Sequence, residues 1–89
     1  MIHELKILPE YFEAVTSGRK QFEIRKNDRG YKVGDVLNLK EVDYFHESIT
    51  TDRFYYTGDS YKAEITYITD YAQKDGYVVL GIRGVEDAE

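Results

Sequence analysis

Most of this chain is written in period two, and that pattern constrains the fold more than any other feature. Residues 2–8 (IHELKIL), 20–25 (KQFEIR), 36–42 (VLNLKEV), 61–70 (YKAEITYITD) and 77–83 (YVVLGIR) read as strands, by alternation or by density of β-branched and aromatic residues. Only PEYFEAVTSG has helical spacing, with Phe12 and Val15 in register with Leu8. Pro9 suits the first helical position, and Gly18 suits a left-handed stop, so a helix is expected near residues 9–17. Five or six short strands with one short helix after the first strand make a mainly β, α+β domain. At 89 residues a single domain is expected over 1–89. A closed or half-closed barrel is the economical way to hide its sheet edges. The ordered core is expected over about 2–83, with Phe22, Ile24, Leu37, Leu39, Ile65, Val78, Leu80 and Ile82 inside. Residues 42–60 read as a hairpin, with arms near Tyr44–Phe45 and Phe54–Tyr56, or as a mobile loop. Residues 84–89 read as a frayed acidic tail.

The composition is that of a folded chain, 42% hydrophobic. It has no cysteine, which excludes disulfides and thiolate zinc sites. Its two histidines are too few for a histidine-based metal site. A carboxylate site for magnesium or calcium stays open on composition, but no ligand loop shows it, and neither metal nor cofactor is expected. No apolar run approaches the roughly 20 residues of a membrane span. The N-terminus lacks the form of a secretory signal, and the expected location is the cytoplasm.

Net charge is −5, which argues against sequence-independent binding to duplex DNA. The charge is unevenly placed. Residues 1–18 sum to −2, residues 19–40 to +4 and residues 41–89 to −7. The positive charge thus belongs to one segment, GRKQFEIRKNDRGYKVGD, with Glu23 in its middle.

On a strand, Glu23 and Arg25 share a face with their Cα atoms roughly 6–7 Å apart. Lys20, just before them, has a stem long enough to bend to the same place. One carboxylate with two cations makes a small polar site suited to a nucleobase or a phosphate-bearing ligand. Arg19, Lys26 and Arg29 would form its rim. On charge and spacing alone, the commoner outcome for such groups is a solvated ion pair on a soluble edge strand. Nine tyrosines invite a second idea, since aromatic rings stack on unpaired bases. Most are better explained as strand formers that fill a small core, with Tyr44, Phe54, Tyr55 and Tyr56 as the exceptions. His46, between Asp43 and Glu47, is better read as a surface residue than as a general base. The seven glycines are scattered, so no phosphate loop is present, and neither is a GxSxG elbow.

GRKQFEIR also resembles the G-x-K-x-x-E-x-R signature of ASCH domains in the PUA superfamily of RNA-associated β-barrels. Gly18, Lys20, Glu23 and Arg25 stand at its four positions. The likeness runs from HELKILPEYFEAVTSG, through NDRGYKVGDVLNLKE, to EITYITDY and GYVVLGI. The chain resembles small bacterial and phage proteins of one ASCH-like family, the domain of unknown function 3850. That resemblance implies a PUA-like pseudobarrel, a cleft between helix and barrel lined by the signature, and an RNA- or nucleotide-binding role.

Two alternatives stand beside this one. Some small ASCH proteins are similar to this chain and are amidohydrolases of acetylated cytidine that use a lysine, a threonine and a glutamate. Lys20 matches their lysine, Glu23 stands at their threonine position, and DYAQKDG offers no glutamate to align with theirs. Glu23 beside Lys20 also favours the charged ammonium, which is neither base nor nucleophile. The other alternative is a phage accessory module that binds a basic protein partner through the acidic segment 41–89.

Overall fold

The computed structural model describes residues 1–45 and 53–85. The chain order is β1 (Ile2–Ile7), α1 (Pro9–Thr16), β2 (Phe22–Lys26), β3 (Val36–Tyr44), β4 (Phe54–Thr69) and β5 (Tyr77–Gly84). The expected mainly β domain with one short helix is observed, with five strands. They form one sheet in the order β1-β3-β4-β5-β2. β1 pairs with β3 in parallel, and every other neighbour pair is antiparallel.

The sheet curls into a half-barrel whose two edge strands, β1 and β2, come to face each other. Two arginines bridge the gap. Arg25 Nη2 donates to the carbonyl of Lys6 at 2.9 Å, and Arg29 Nη1 donates to the carbonyl of Glu4 at 2.8 Å. A sheet edge normally presents unpaired carbonyls to solvent. Here side chains from β2 and the turn after it satisfy two of them.

The concave face holds the core. Leu37, Leu39, Ile65 and Leu80 are fully buried, and Leu5, Ile7, Val15, Ala63, Val78 and Ile82 join them. Phe22 and Ile24 do not, which corrects the expectation from alternation. They are 42% and 50% exposed, while Glu23 between them is 3% exposed. Register explains the reversal. Side chains directly opposite on paired strands share a face. Glu23 lies opposite Leu80 and Arg25 opposite Val78, so the polar residues of β2 turn inward with the apolar residues of β5.

Helix α1 covers the open end of the half-barrel with Val15 and Phe12. It stops where expected, at Ser17, followed by Gly18 at φ +85°. That left-handed turn brings the Lys20 N–H back to the carbonyl of Ala14 at 2.9 Å. Lys20 is therefore held at the mouth between helix and sheet before its side chain makes any contact.

The turn-rich segment after β2 contributes more to the core than its sequence suggests. Tyr31 is buried and meets the ring of buried His3 edge-on at 4.9 Å. His3 Nε2 lies 2.8 Å from Asp35 Oδ2, which also accepts the Lys32 N–H at 3.2 Å. The hydrogen bond from His3 holds the Asp35 carboxyl below its usual range, against the opposing effect of partial burial. The Lys32 N–H and the N-terminal ammonium act in the same direction as His3. A carboxylate depressed in this way adds stability that is fully present above its unfolded value, about pH 4, and is lost as pH falls through the lower folded value. We expect the thermal midpoint of the wild type to fall between about pH 4.5 and pH 2.5 more steeply than that of Asp35→Asn. Parallel slopes for the two proteins would show that Asp35 does not carry this dependence.

The hairpin reading of residues 42–60 holds for the arms. Tyr44 pairs with Phe54, Asp43 with Tyr55 and Val42 with Tyr56. Residues 46–52, with His46 and Glu47, and the tail 86–89 lie outside the described residues. Among the described residues no helix is long and apolar enough to cross a membrane.

Candidate functional site

The reversed face of β2 creates the site. A carboxylate turned towards an apolar core is costly unless it is paired. Glu23 meets that demand from both sides. Its Oε1 takes Lys20 Nζ, and its Oε2 takes Arg25 Nε and Nη2, each at 3.0 Å. Lys20 Nζ also donates to the Phe22 carbonyl at 2.8 Å and lies 4.9 Å from the Phe22 ring centroid. The Tyr11 ring is 5.9 Å from the same ammonium. The three charged residues expected to converge do so, as two half-buried cations around a buried carboxylate rather than as a solvated surface pair.

The triad forms the polar end of a cleft of about 390 Å³ between the end of β1, the start of α1 and β2. Ile7, Leu8, Tyr11, Phe22 and Ile24 supply apolar and aromatic walls, and Lys6 stands at the edge. Phe22 and Ile24 border this cleft from the outer face of β2.

Donors are left over in this arrangement. Lys20 carries three N–H groups and the described contacts use two. Arg25 carries five, and among the described residues its Nη1 has no protein partner. Both cations therefore have hydrogen-bond capacity for a ligand that brings acceptor oxygens.

The expected rim is only partly assembled. Arg29 lines a groove beside the cleft. Arg19 instead pairs with Glu13 on the helix and donates to Ser17 Oγ at 3.1 Å, and neither Arg19 nor Lys26 borders cleft or groove. Lys6 and Tyr11 were not singled out in the sequence. Each is a common residue type in a regular element, and only the approach of β1 to β2 gives them a site. Among the described residues no group of His, Asp and Glu is arranged to hold a metal ion.

Comparison with known proteins adds two findings. The family model described as "Domain of unknown function (DUF3850)" matches residues 2–82, which include every residue of the cleft. The chain is 39% identical over 80 residues to an uncharacterized 12.9 kDa protein in the GpA 3′ region of Escherichia phage P2. That alignment covers 89% of this chain and spans 65% of the length of the phage protein.

Proposed function

The chain belongs to the family described as domain of unknown function DUF3850, and on that premise we propose that it binds a nucleotide or an unpaired RNA base in the cleft closed by Lys20, Glu23 and Arg25. The observation that carries this reading is the pairing of apolar walls with a cationic end. A bare anion needs no apolar walls, and an apolar ligand needs no ion triad. A nucleobase has apolar faces and a polar edge, and its carbonyl and phosphate oxygens match the spare donors of Lys20 and Arg25. A volume of about 390 Å³ lies in the ordinary range of small-molecule sites. The half-barrel with a helix over its open end is, in this proposal, a PUA-like ASCH domain. The position of the cleft between α1 and the sheet supports that assignment.

In this reading Glu23 is chiefly a positioning residue. Both of its oxygens are engaged by its own cations, so it aims Lys20 and Arg25 and keeps a second negative charge from settling deep in the site. Lys20→Ala is expected to weaken binding of mononucleotides about 10- to 100-fold, the worth of a charge-assisted hydrogen bond. Lys26→Ala, outside the cleft, should cost little and flatten the salt dependence slightly. Titration of the four ribonucleoside monophosphates against both variants, with circular dichroism to confirm folding, checks this. Equal losses in the two variants would reduce the triad to general electrostatics.

The engagement of Lys20 with Glu23 and the Phe22 carbonyl also leaves it poorly placed as a base or nucleophile. Acetylated cytidine incubated with the purified protein is expected to remain intact. Deacetylation that disappears in Lys20→Ala would contradict this and favour the amidohydrolase alternative.

A further inference from the structure

Beside the cleft lies a second groove, of about 270 Å³, which shares Lys6 and Arg25 with it and adds Arg29, Lys40 and Tyr56. Four cations thus meet one carboxylate, Glu4, which is itself 3.7 Å from Lys40 Nζ. The groove leads on to an aromatic strip. Lys40 Nζ lies 5.4 Å from the Tyr56 ring, and Lys6 Nζ lies 5.0 Å from the Phe54 ring. Phe54 meets Tyr56 edge-on at 5.8 Å and Tyr44 edge-on at 6.5 Å. All three rings remain more than a third exposed. The hairpin arms therefore keep large aromatic side chains in solvent, beside cations, in a chain whose net charge is −5.

We infer that this groove and strip form a track for single-stranded nucleic acid, with phosphates along Arg25, Arg29, Lys6 and Lys40 and a base stacked at Tyr56. The inference rests on the base-binding reading of the cleft and extends it from a nucleotide to a strand. Alternating cations and exposed rings are what a flexible polyanion with flat bases requires. A peptide strand added to the β1 edge fits less well, because the carbonyls of Glu4 and Lys6 already accept from Arg29 and Arg25.

The test compares a random-sequence tetranucleotide, as RNA and as DNA, with the four mononucleotides, on wild type, Lys20→Ala, Lys40→Ala and Tyr56→Ala. Tyr56 is exposed, Lys40 is half-buried with an ammonium at the surface, and both lie outside the cleft, so both variants should fold and bind mononucleotides as the wild type does. The tetranucleotide should bind wild type at least about tenfold tighter than any mononucleotide, and Tyr56→Ala should remove about fivefold or more of that gain. Lys40→Ala should lower the slope of log affinity against log salt by about one. A preference between the RNA and DNA arms supports the track and shows which strand it takes. No gain from length, or a gain untouched by both variants, overturns the track while leaving the cleft reading intact. A full gain with no effect of Lys20→Ala supports the track and overturns the cleft. Equal displacement by a polyglutamate peptide of matched charge would overturn the track as a nucleic-acid site.

Discussion

Glu23→Ala is expected to lower the thermal midpoint by roughly 12–24 °C. The substitution removes the shared partner of two cations that are only 19% and 25% exposed. Breaking a buried pair by deleting one member costs about 3–5 kcal/mol, because the remaining charge is left without compensation. Lys20 and Arg25 keep some solvent and their backbone acceptors, so the low end applies. For a domain of this size each kcal/mol moves the midpoint by about 4–8 °C. The triple variant Lys20→Met, Glu23→Leu, Arg25→Met should recover much of the loss, since apolar residues of similar volume often replace a buried ion group without penalty. It should nevertheless fail to bind nucleotides. A midpoint within about 3 °C of wild type for Glu23→Ala would mean that water already solvates the triad.

Leu80→Ala should destabilise by about 3–5 kcal/mol, a loss comparable to that of Glu23→Ala. Leu80 is fully buried on β5, which pairs with both β4 and β2. Truncation removes transfer free energy and leaves a cavity that the two flanking strands prevent from collapsing. Because Leu80 lies opposite Glu23, the cavity also opens beneath the triad. Urea unfolding measures the loss, and the denaturant slope should stay constant if the folded state survives. A change below about 1 kcal/mol would show that the sheet relaxes around this position and that it is not the rigid floor of the cleft.

The strands that face one well-defined core were legible from alternation alone. Leu37, Leu39, Ile65, Val78, Leu80 and Ile82 all fall inside. β2 departs from that pattern: its two large apolar residues alternate with polar ones, which normally marks a core face, yet they face outward. The chain gives no local sign that β2 is an edge strand whose inward side closes a cleft, and only its register with β5 reverses the assignment. The outer half of β4, residues 54–60, is exposed throughout, so it has no inside and outside for alternation to record. Its aromatic density still marked Phe54 and Tyr56 as unusual.

The site shows the same division. Lys20, Glu23 and Arg25 are near in sequence, and strand spacing brings them together. The contacts of Arg25 and Arg29 with β1 cross 19 and 25 residues, and no local pattern encodes them. Lys6 and Lys40 enter for a related reason. They face each other across the parallel β1–β3 pair, a contact made by topology. Much of the basic segment's charge is thus used inside the fold. Two of its arginines satisfy a sheet edge, Arg19 binds the helix, and Lys20 and Arg25 keep donors for a ligand.

Amide and side-chain chemical shifts, followed while nucleoside monophosphates are added, test the central claim most directly. Binding in the cleft should move Lys20, Phe22, Ile24, Arg25, Tyr11 and Ile7 in a saturable way. It should leave the turn at residues 70–74, which borders neither cleft nor groove, unchanged. Saturable shifts confined to residues outside the cleft, or no saturable shift with any of the four nucleotides at millimolar concentration, would contradict it.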